Sequence, residues 1–293
     1  MSYEPLLGAK PQEIPFSDSD FRVLASLAKT QFGLNLADSK KPLVYSRLSK
    51  RLKARSVSGF PEYLSLLENP GEENEKFELI SALTTNVTSF FRESHHFDTL
   101  RDEILPTVME QANQGKKVRF WSAGCSAGPE PYSIAMTLLD KFPQAAHLDV
   151  KILATDIDPK IVAKARIGQY SIEDLDGIPQ SFRSKWTTKT DSNSRFEISN
   201  EVRNIITFNE LNLISDWPMK GMFDAIFCRN VAIYFDQSTQ QLLWKRFCHF
   251  LRPHGVLFIG HSERVTGPAT SMLDGIGITS YRKVGTPAVP AQE

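Results

Sequence analysis

The stretch "VRFWSAGCSAGPEPYSIAMTLLD", Val118 to Asp140, decides how the rest of the chain is read. It begins as an apolar run rich in β-formers, breaks at Gly124 and Gly128, and resumes with apolar residues at helical spacing. A strand, a glycine turn and a helix in that order place backbone N–H groups and a helix N-terminus at the carboxyl edge of an open α/β sheet, where ligands bind. The same rhythm recurs downstream. "DVKILATDI", "NIITFNELNL", "FDAIFCRN", "GVLFIG" and "ITSYRKV" are short apolar runs separated by helical segments. That alternation predicts a mostly parallel sheet with helices on both faces.

Upstream the pattern is helical. "SDSDFRVLASLAKTQFGL" opens on capping residues and then carries apolar residues three and four apart, and "FPEYLSLLEN" and "EKFELISALTT" continue the habit. A helical N-terminal domain over 16–95 and an α/β domain over 96–284 follow. Within the second, 168–203 breaks the alternation: "SKWTTKT" and "SRFEIS" flank a polar "DSNS" turn and predict a small antiparallel β insertion. The proline-spaced ends, 1–15 and 285–293, read as flexible tails.

The 293 residues are 41% hydrophobic, enough for a real core, and Lys+Arg and Asp+Glu both number 34. A zero net charge argues against bulk affinity for nucleic acid or membrane surface and directs attention to local patches. Three cysteines without a CxxC pair argue against a disulfide framework or zinc site. Adjacent His95 and His96 lack the i, i+4 spacing of a metal pair and are read as structural, so no metal is expected. The N-terminus lacks the pattern of a secretory signal and no apolar run nears the ~20 residues of a membrane span, which points to a cytoplasmic protein with no membrane insertion. Nothing in the pattern demands more than a monomer.

Gly124 and Gly128 do not spell G-x-G-x-x-G. The next strand ends in "LATDID", leaving Asp156 and Asp158 where a carboxylate accepts hydrogen bonds from ribose hydroxyls. A nicotinamide dinucleotide and S-adenosylmethionine both meet that description; the missing pyrophosphate fingerprint favours the second. His261 beside Ser262 and Glu263 lacks the G-x-S-x-G elbow of a hydrolase.

"TTNVTSFFRE" (Thr84 to Glu93), "WSAGCSAGPEPYSIA", "FNELNL" (Phe208 to Leu213), "DAIFCRNVAIYFD" (Asp224 to Asp236) and "LRPHGVLFIGHSE", in this order, resemble the chemotaxis receptor methyltransferases, the CheR family, over nearly the whole chain. The resemblance implies a Rossmann-like S-adenosylmethionine-dependent methyltransferase sheet with an all-α N-terminal domain and a β insertion. It implies methyl esterification of glutamate side chains on the cytoplasmic helices of chemoreceptors, for adaptation, with S-adenosylhomocysteine as product. Carried over residue by residue, it sets Asn86, Thr88 and Arg92 beside the cofactor at the junction of the two domains, and Gly124 and Glu130 in the turn that holds it. Asp156 binds the adenosine, Asn212 and Leu213 flank the adenine, and Arg229, Asn230 and Tyr234 line the transfer end. Arg92 and Tyr234 are the expected catalytic pair. One letter departs: the family usually reads "GEEPYS" where this chain has "GPEPYS", with Pro129 for the first acid, a residue suited to the first position of a helix.

The stretch "SKKPLVYSRLSKRLKARS", Ser39 to Ser56, has seven basic residues and no acid. Arg47, Arg51 and Arg55 recur every four residues beside an inward stripe of Val44, Leu48 and Leu52, and Lys50 adds to the basic surface, a candidate for recognising the glutamate-bearing receptor helix. Some family members dock a receptor's C-terminal peptide through glycine-rich loops in the insertion; "KTDSNSRF" lacks glycine, so weak or absent tethering is expected. Two other functions meet the same residues less well: a nicotinamide-linked oxidoreductase, and a binding module that keeps the pocket without turnover, for which Pro129 is the sole support.

Overall fold

A computed structural model describes residues 14–84, 87–190 and 194–285. Residues 1–13 and 286–293, most of the two expected tails, lie outside the described residues, as do Asn86 and most of the turn expected in the insertion. The chain divides into two compact units between Thr85 and Asn86. The boundary drawn at 95 from the helical pattern thus falls inside the second unit, because "SFFRE" packs there: the Phe90 ring stands edge-on to Tyr170, and the Phe91 N–H donates to Ser133 Oγ at 3.0 Å.

Among its described residues the first unit holds four α-helices: α1 (Asp18–Phe32), α2 (Lys41–Ala54), α3 (Phe60–Glu68) and α4 (Glu73–Leu83). A reciprocal capping box between Ser17 and Asp20 starts α1, and Gly33 in the left-handed region stops it. Phe21, Leu24 and Ala28, then Val44, Leu48 and Leu52, then Phe60, Tyr63 and Leu67, then Leu79 and Ile80 turn one stripe of each helix inward.

The basic face of α2 is not the unpaired surface its sequence suggests. Arg51 makes a two-pronged bond to Glu75 (Nε–Oε1 3.0 Å, Nη2–Oε2 2.6 Å) and reaches Glu78 at 3.2 Å. Arg55 grips Glu72 at 2.8 and 2.9 Å and touches Glu75 at 3.2 Å. Arg47 donates to the carbonyls of Ala82, Leu83 and Thr84 at the C-terminal end of α4, where helix carbonyls lack intrahelical donors. Lys50 and Lys53 stand exposed.

The second unit opens with α5 (His95–Thr99) and α6 (Leu105–Asn113), then alternates: β1 (Val118–Ala123), α7 (Pro129–Lys141), β2 (Val150–Asp156) and α8 (Pro159–Ile167). The insertion follows as β3 (Gln169–Ser171), α9 (Gln180–Trp186), β4 (Thr187–Lys189) and β5 (Arg195–Ile198), after which come α10 (Asn200–Arg203), β6 (Ile206–Glu210), β7 (Phe223–Cys228), α11 (Gln237–Phe250), β8 (Leu251–Ile259), β9 (Leu273–Gly277) and β10 (Ser280–Lys283). The large sheet runs β6-β2-β1-β7-β8-β10-β9, parallel from β6 to β8 and antiparallel in its last two strands. Every residue of β7 is buried, as a central parallel strand covered on both faces requires. In the insertion β3-β5-β4 forms an antiparallel sheet. Its helix α9 takes "SKW", read as strand from sequence, because Trp186 is drawn into the core, 2% exposed.

Strand order reverses at β1: β2 lies on one side and the later β7 on the other. A ligand crevice is expected at the carboxyl ends of these three strands, beyond Ala123, Asp156 and Cys228.

Candidate functional site

The β1–α7 turn is pinned to the end of β2. Both the Gly124 and Cys125 N–H groups donate to the Thr155 carbonyl at 2.8 Å, and the Ser126 N–H donates to Asp156 Oδ2 at 2.8 Å. Gly124 has φ +84°, and a Cβ there would collide with Val231 Cγ2; Gly128, with φ +99°, is hemmed by Tyr170, Ala165 and Tyr132. Glycine is required at both. Pro129 takes the first position of α7, so the departure from the family pattern leaves the turn intact.

Asp156 is half-buried, and its Oδ1 accepts from the Asp158 N–H at 3.2 Å. Burial raises its pKa above the ordinary carboxylate value against the pull of the backbone donors of Asp158, Ser126 and Ile157. Asp158 has other work. It caps α8, accepting from the Lys160 and Ile161 N–H groups at 2.9 and 3.4 Å, and the sequence signal was the Asp-Pro pair at a helix start.

Beyond β7, Arg229 is a buried tie. Its side chain is 2% exposed, lies 3.2 Å from Glu130 Oε2 and 3.5 Å from Glu93 Oε2, donates to the Arg92 carbonyl and sits over the Phe97 ring. It joins the end of β7, the first turn of α7 and the "FFRE" segment, rather than standing free for a ligand at the transfer end. Glu130 also accepts from Ser122 Oγ at 2.7 Å; burial pushes its pKa up although Arg229 pulls it down. Glu93 also lies 4.0 Å from Arg92 Nε, so two carboxylates here are matched by two guanidinium groups. Glu93, which the sequence reading passed over, further accepts from His261 Nδ1 at 3.0 Å, so His261 faces this acid and forms no hydrolase arrangement with Ser262.

Phe91 and Glu93 both adopt left-handed φ, 50° and 56°, conformations that cost non-glycine residues energy and gather at functional sites. Between them Arg92 is a third exposed and donates to the Val87 carbonyl at 3.2 Å. Thr88 is half-buried. Asn212 Oδ1 accepts from the Ile214 N–H at 3.1 Å, and Leu213 is packed into the core cluster that contains Trp121 and Phe247. Asn230, at φ 59°, and Tyr234, in a 3₁₀ turn over Ala232–Tyr234, are half-buried in the loop after β7.

Glu93, His95 and His96 bring potential ligand atoms within 4.8 Å of one another. A divalent cation among them would face the Arg229 guanidinium. His96 is buried, its Nε2 engages Thr279 Oγ1 at 2.9 Å, and burial and Arg229 push its pKa down to about 3. Burial raises the Cys125 thiol well above its ordinary value, so it is held as an inert thiol. Among the described residues no helix is long and apolar enough to cross a membrane.

A doubly wound sheet with an antiparallel edge pair, and a glycine turn beside an acid at its switch point, is the arrangement of an S-adenosylmethionine-dependent methyltransferase. The chain belongs to the CheR methyltransferase family: residues 86–281 match its SAM binding domain and 19–84 its all-alpha domain. It is 50% identical to a probable chemotaxis protein methyltransferase of Rhizobium etli, over 85% of this chain and 94% of that one. It is 41% identical to the chemotaxis protein methyltransferase of Escherichia coli, over 88% of each, and 39% identical to chemotaxis protein methyltransferase 2 of Pseudomonas aeruginosa, over 92% and 95%. The residues fit the cofactor: a tight glycine turn after β1, the Asp156 carboxylate beside it at the end of β2, and the Glu130 carboxylate in the first turn of α7.

Proposed function

We propose that this enzyme esterifies glutamate side chains on the cytoplasmic helices of chemoreceptors, using S-adenosylmethionine and releasing S-adenosylhomocysteine. The observation that carries this reading is the Asp156 carboxylate at the end of β2, desolvated and held beside the Gly124 turn by the Ser126 N–H. Asp156 takes the ribose hydroxyls. Leu213 and Asn212 border the base, and the Glu130 end of the turn takes the cationic tail.

When bound, the cofactor supplies a methyl group on a sulfonium, and transfer to a carboxylate turns an ion pair into two neutral products with no proton to move. No general base is therefore called for. Because charge is lost on the way to the transition state, water favours the reactants, and a site that excludes it favours transfer. Arg92 orients the incoming carboxylate, and Tyr234 borders the methyl path, a positioning role worth up to roughly 7–11 kcal/mol in well-aligned model systems. Thr88 sits in the same segment as Arg92. Recognition of the acidic substrate helix falls to the exposed Lys50 and Lys53 of α2, since Arg51 and Arg55 are spent on Glu72, Glu75 and Glu78.

The test is incubation of the chain with labelled S-adenosylmethionine and receptor-enriched membranes, counting base-labile methyl groups. Tyr234→Phe and Arg92→Ala are each expected to cut turnover by about 10²-fold while calorimetric affinity for S-adenosylhomocysteine holds. Absence of base-labile label on receptor with the wild-type chain overturns the reading.

A further inference from the structure

Glu263 belongs to none of the roles above, yet it is among the best-satisfied buried acids of the second unit. The residue is 5% exposed and its carboxylate accepts four backbone N–H groups. Oε2 receives those of Gly260 at 2.6 Å and Asn230 at 3.0 Å; Oε1 receives those of Val231 at 3.0 Å and Ile233 at 3.2 Å. Three of the four donors come from the loop after β7, and the fourth from the end of β8. Charge-assisted bonds of this kind are about twice as strong as neutral ones.

The loop is shaped for this acid. Asn230 takes a left-handed φ of 59°, which turns successive N–H groups toward one point, as in the backbone nests that bind anions. Gly260 admits no side chain, because a Cβ would lie 2.5 Å from Asn230 Nδ2 and 2.7 Å from Asn230 N. The same loop presses Val231 against Gly124, at the head of the cofactor turn, and carries Tyr234 three residues on. One side chain thus fixes the height of the loop over two parts of the proposed pocket.

We propose that Glu263 is a positioning residue for methyl transfer: its carboxylate holds the Asn230–Tyr234 loop in the conformation that sets Tyr234 and the Val231–Gly124 contact. The proposal rests on the function read above. Gln does not serve in its place, since its NH₂ would face two of the backbone donors at hydrogen-bond distance and push half the loop away.

The test compares the full chain with Glu263→Gln and Glu263→Asp, the second keeping the charge but lacking a methylene. Glu263→Gln is expected to lower kcat by about 30-fold or more, with KM for S-adenosylmethionine within about threefold of wild type. Its Asn230, Val231 and Ile233 amides should exchange about tenfold faster, while amides of β7 and β8 keep their protection. Glu263→Asp should fall between. Adding Tyr234→Phe to Glu263→Gln should cost less than about twofold more, because the two act through one geometry.

Turnover of Glu263→Gln within about twofold of wild type, unchanged loop exchange, or a general loss of β7 and β8 protection would each overturn the proposal, the last by showing a merely structural acid. Should Glu263→Gln not fold, Glu263→Asp decides: lowered kcat with KM kept supports the proposal, and wild-type kcat overturns it. If Tyr234→Phe alone leaves wild-type turnover unchanged, the assignment of Tyr234 fails, and Glu263 is judged on kcat and exchange alone.

Discussion

At Gly124 a positive φ and a neighbouring methyl make the same demand. An L-residue there costs about 1–2 kcal/mol for the left-handed backbone, and its Cβ must also displace Val231. Gly124→Ala is therefore expected to weaken S-adenosylhomocysteine binding about tenfold or more, read by calorimetry; unchanged affinity would remove the turn from the cofactor site. His96 is a second residue whose surroundings set a sign. Burial first, then the charges of Arg229 and His95, lower its pKa from 6.5 to about 3, while Glu93 opposes them. The folded form keeps the imidazole neutral, whereas the unfolded chain takes up a proton as pH falls through 6.5. The associated stability is complete above 6.5 and drains away toward about 3. Between pH 7 and 5 the loss amounts to about 2 kcal/mol. His96→Phe should lower stability at pH 7 but show a shallower acid slope in urea titrations at the two pH values; an unaltered slope would refute the neutral-imidazole account.

Among the elements, α2 and α4 show what a one-dimensional pattern carries and what it drops. Periodicity finds each helix and the inward stripe of Val44, Leu48 and Leu52, because burial of one face repeats every 3.6 residues. It does not show that the next face of α2 meets Glu72, Glu75 and Glu78, since those acids arrive from another helix. Glu75 is 1% exposed and bound by Arg51, Arg55 and the Tyr63 hydroxyl; desolvation pushes its pKa up, but these donors outweigh it and hold it low. Glu75→Ala should cost about 2–3 kcal/mol, less than a fully buried pair, because Arg51 and Arg55 remain 24% and 30% exposed and can turn to water. Loss of helical circular dichroism at lower urea is the measurement. The site divides in the same way. The places of the glycine turn and of Asp156 at strand ends were legible because strand alternation alone fixes where the carboxyl edge lies. Arg229 with Glu130, ninety-nine positions apart, and Glu263 with Asn230, thirty-three apart, obey no local period and emerge only from the folded sheet.

For the whole molecule, a formal net charge of zero means that no long-range field draws an acidic partner. Attraction must act within a Debye length, about 8 Å at physiological salt, and so depends on the few cations that protrude. On α2 these are Lys50 and Lys53, and a charge already matched by its own domain adds little to either rate or affinity. Reversing Arg51 or Arg55 would confound recognition with stability, because acids would then crowd the buried Glu75. Reversing Lys50 and Lys53 to Glu disturbs no ion pair of the helical unit described here. The double reversal is expected to raise KM for receptor membranes about tenfold, as exposed charges worth up to ~1 kcal/mol each change from attraction to repulsion. The kcat at saturating receptor and the affinity for S-adenosylhomocysteine should not move. Raising salt should raise the wild-type KM and leave that of the reversed variant nearly level, since the favourable contacts that salt screens are gone. A receptor KM that ignores both the substitutions and the salt would place substrate recognition on another surface of the protein.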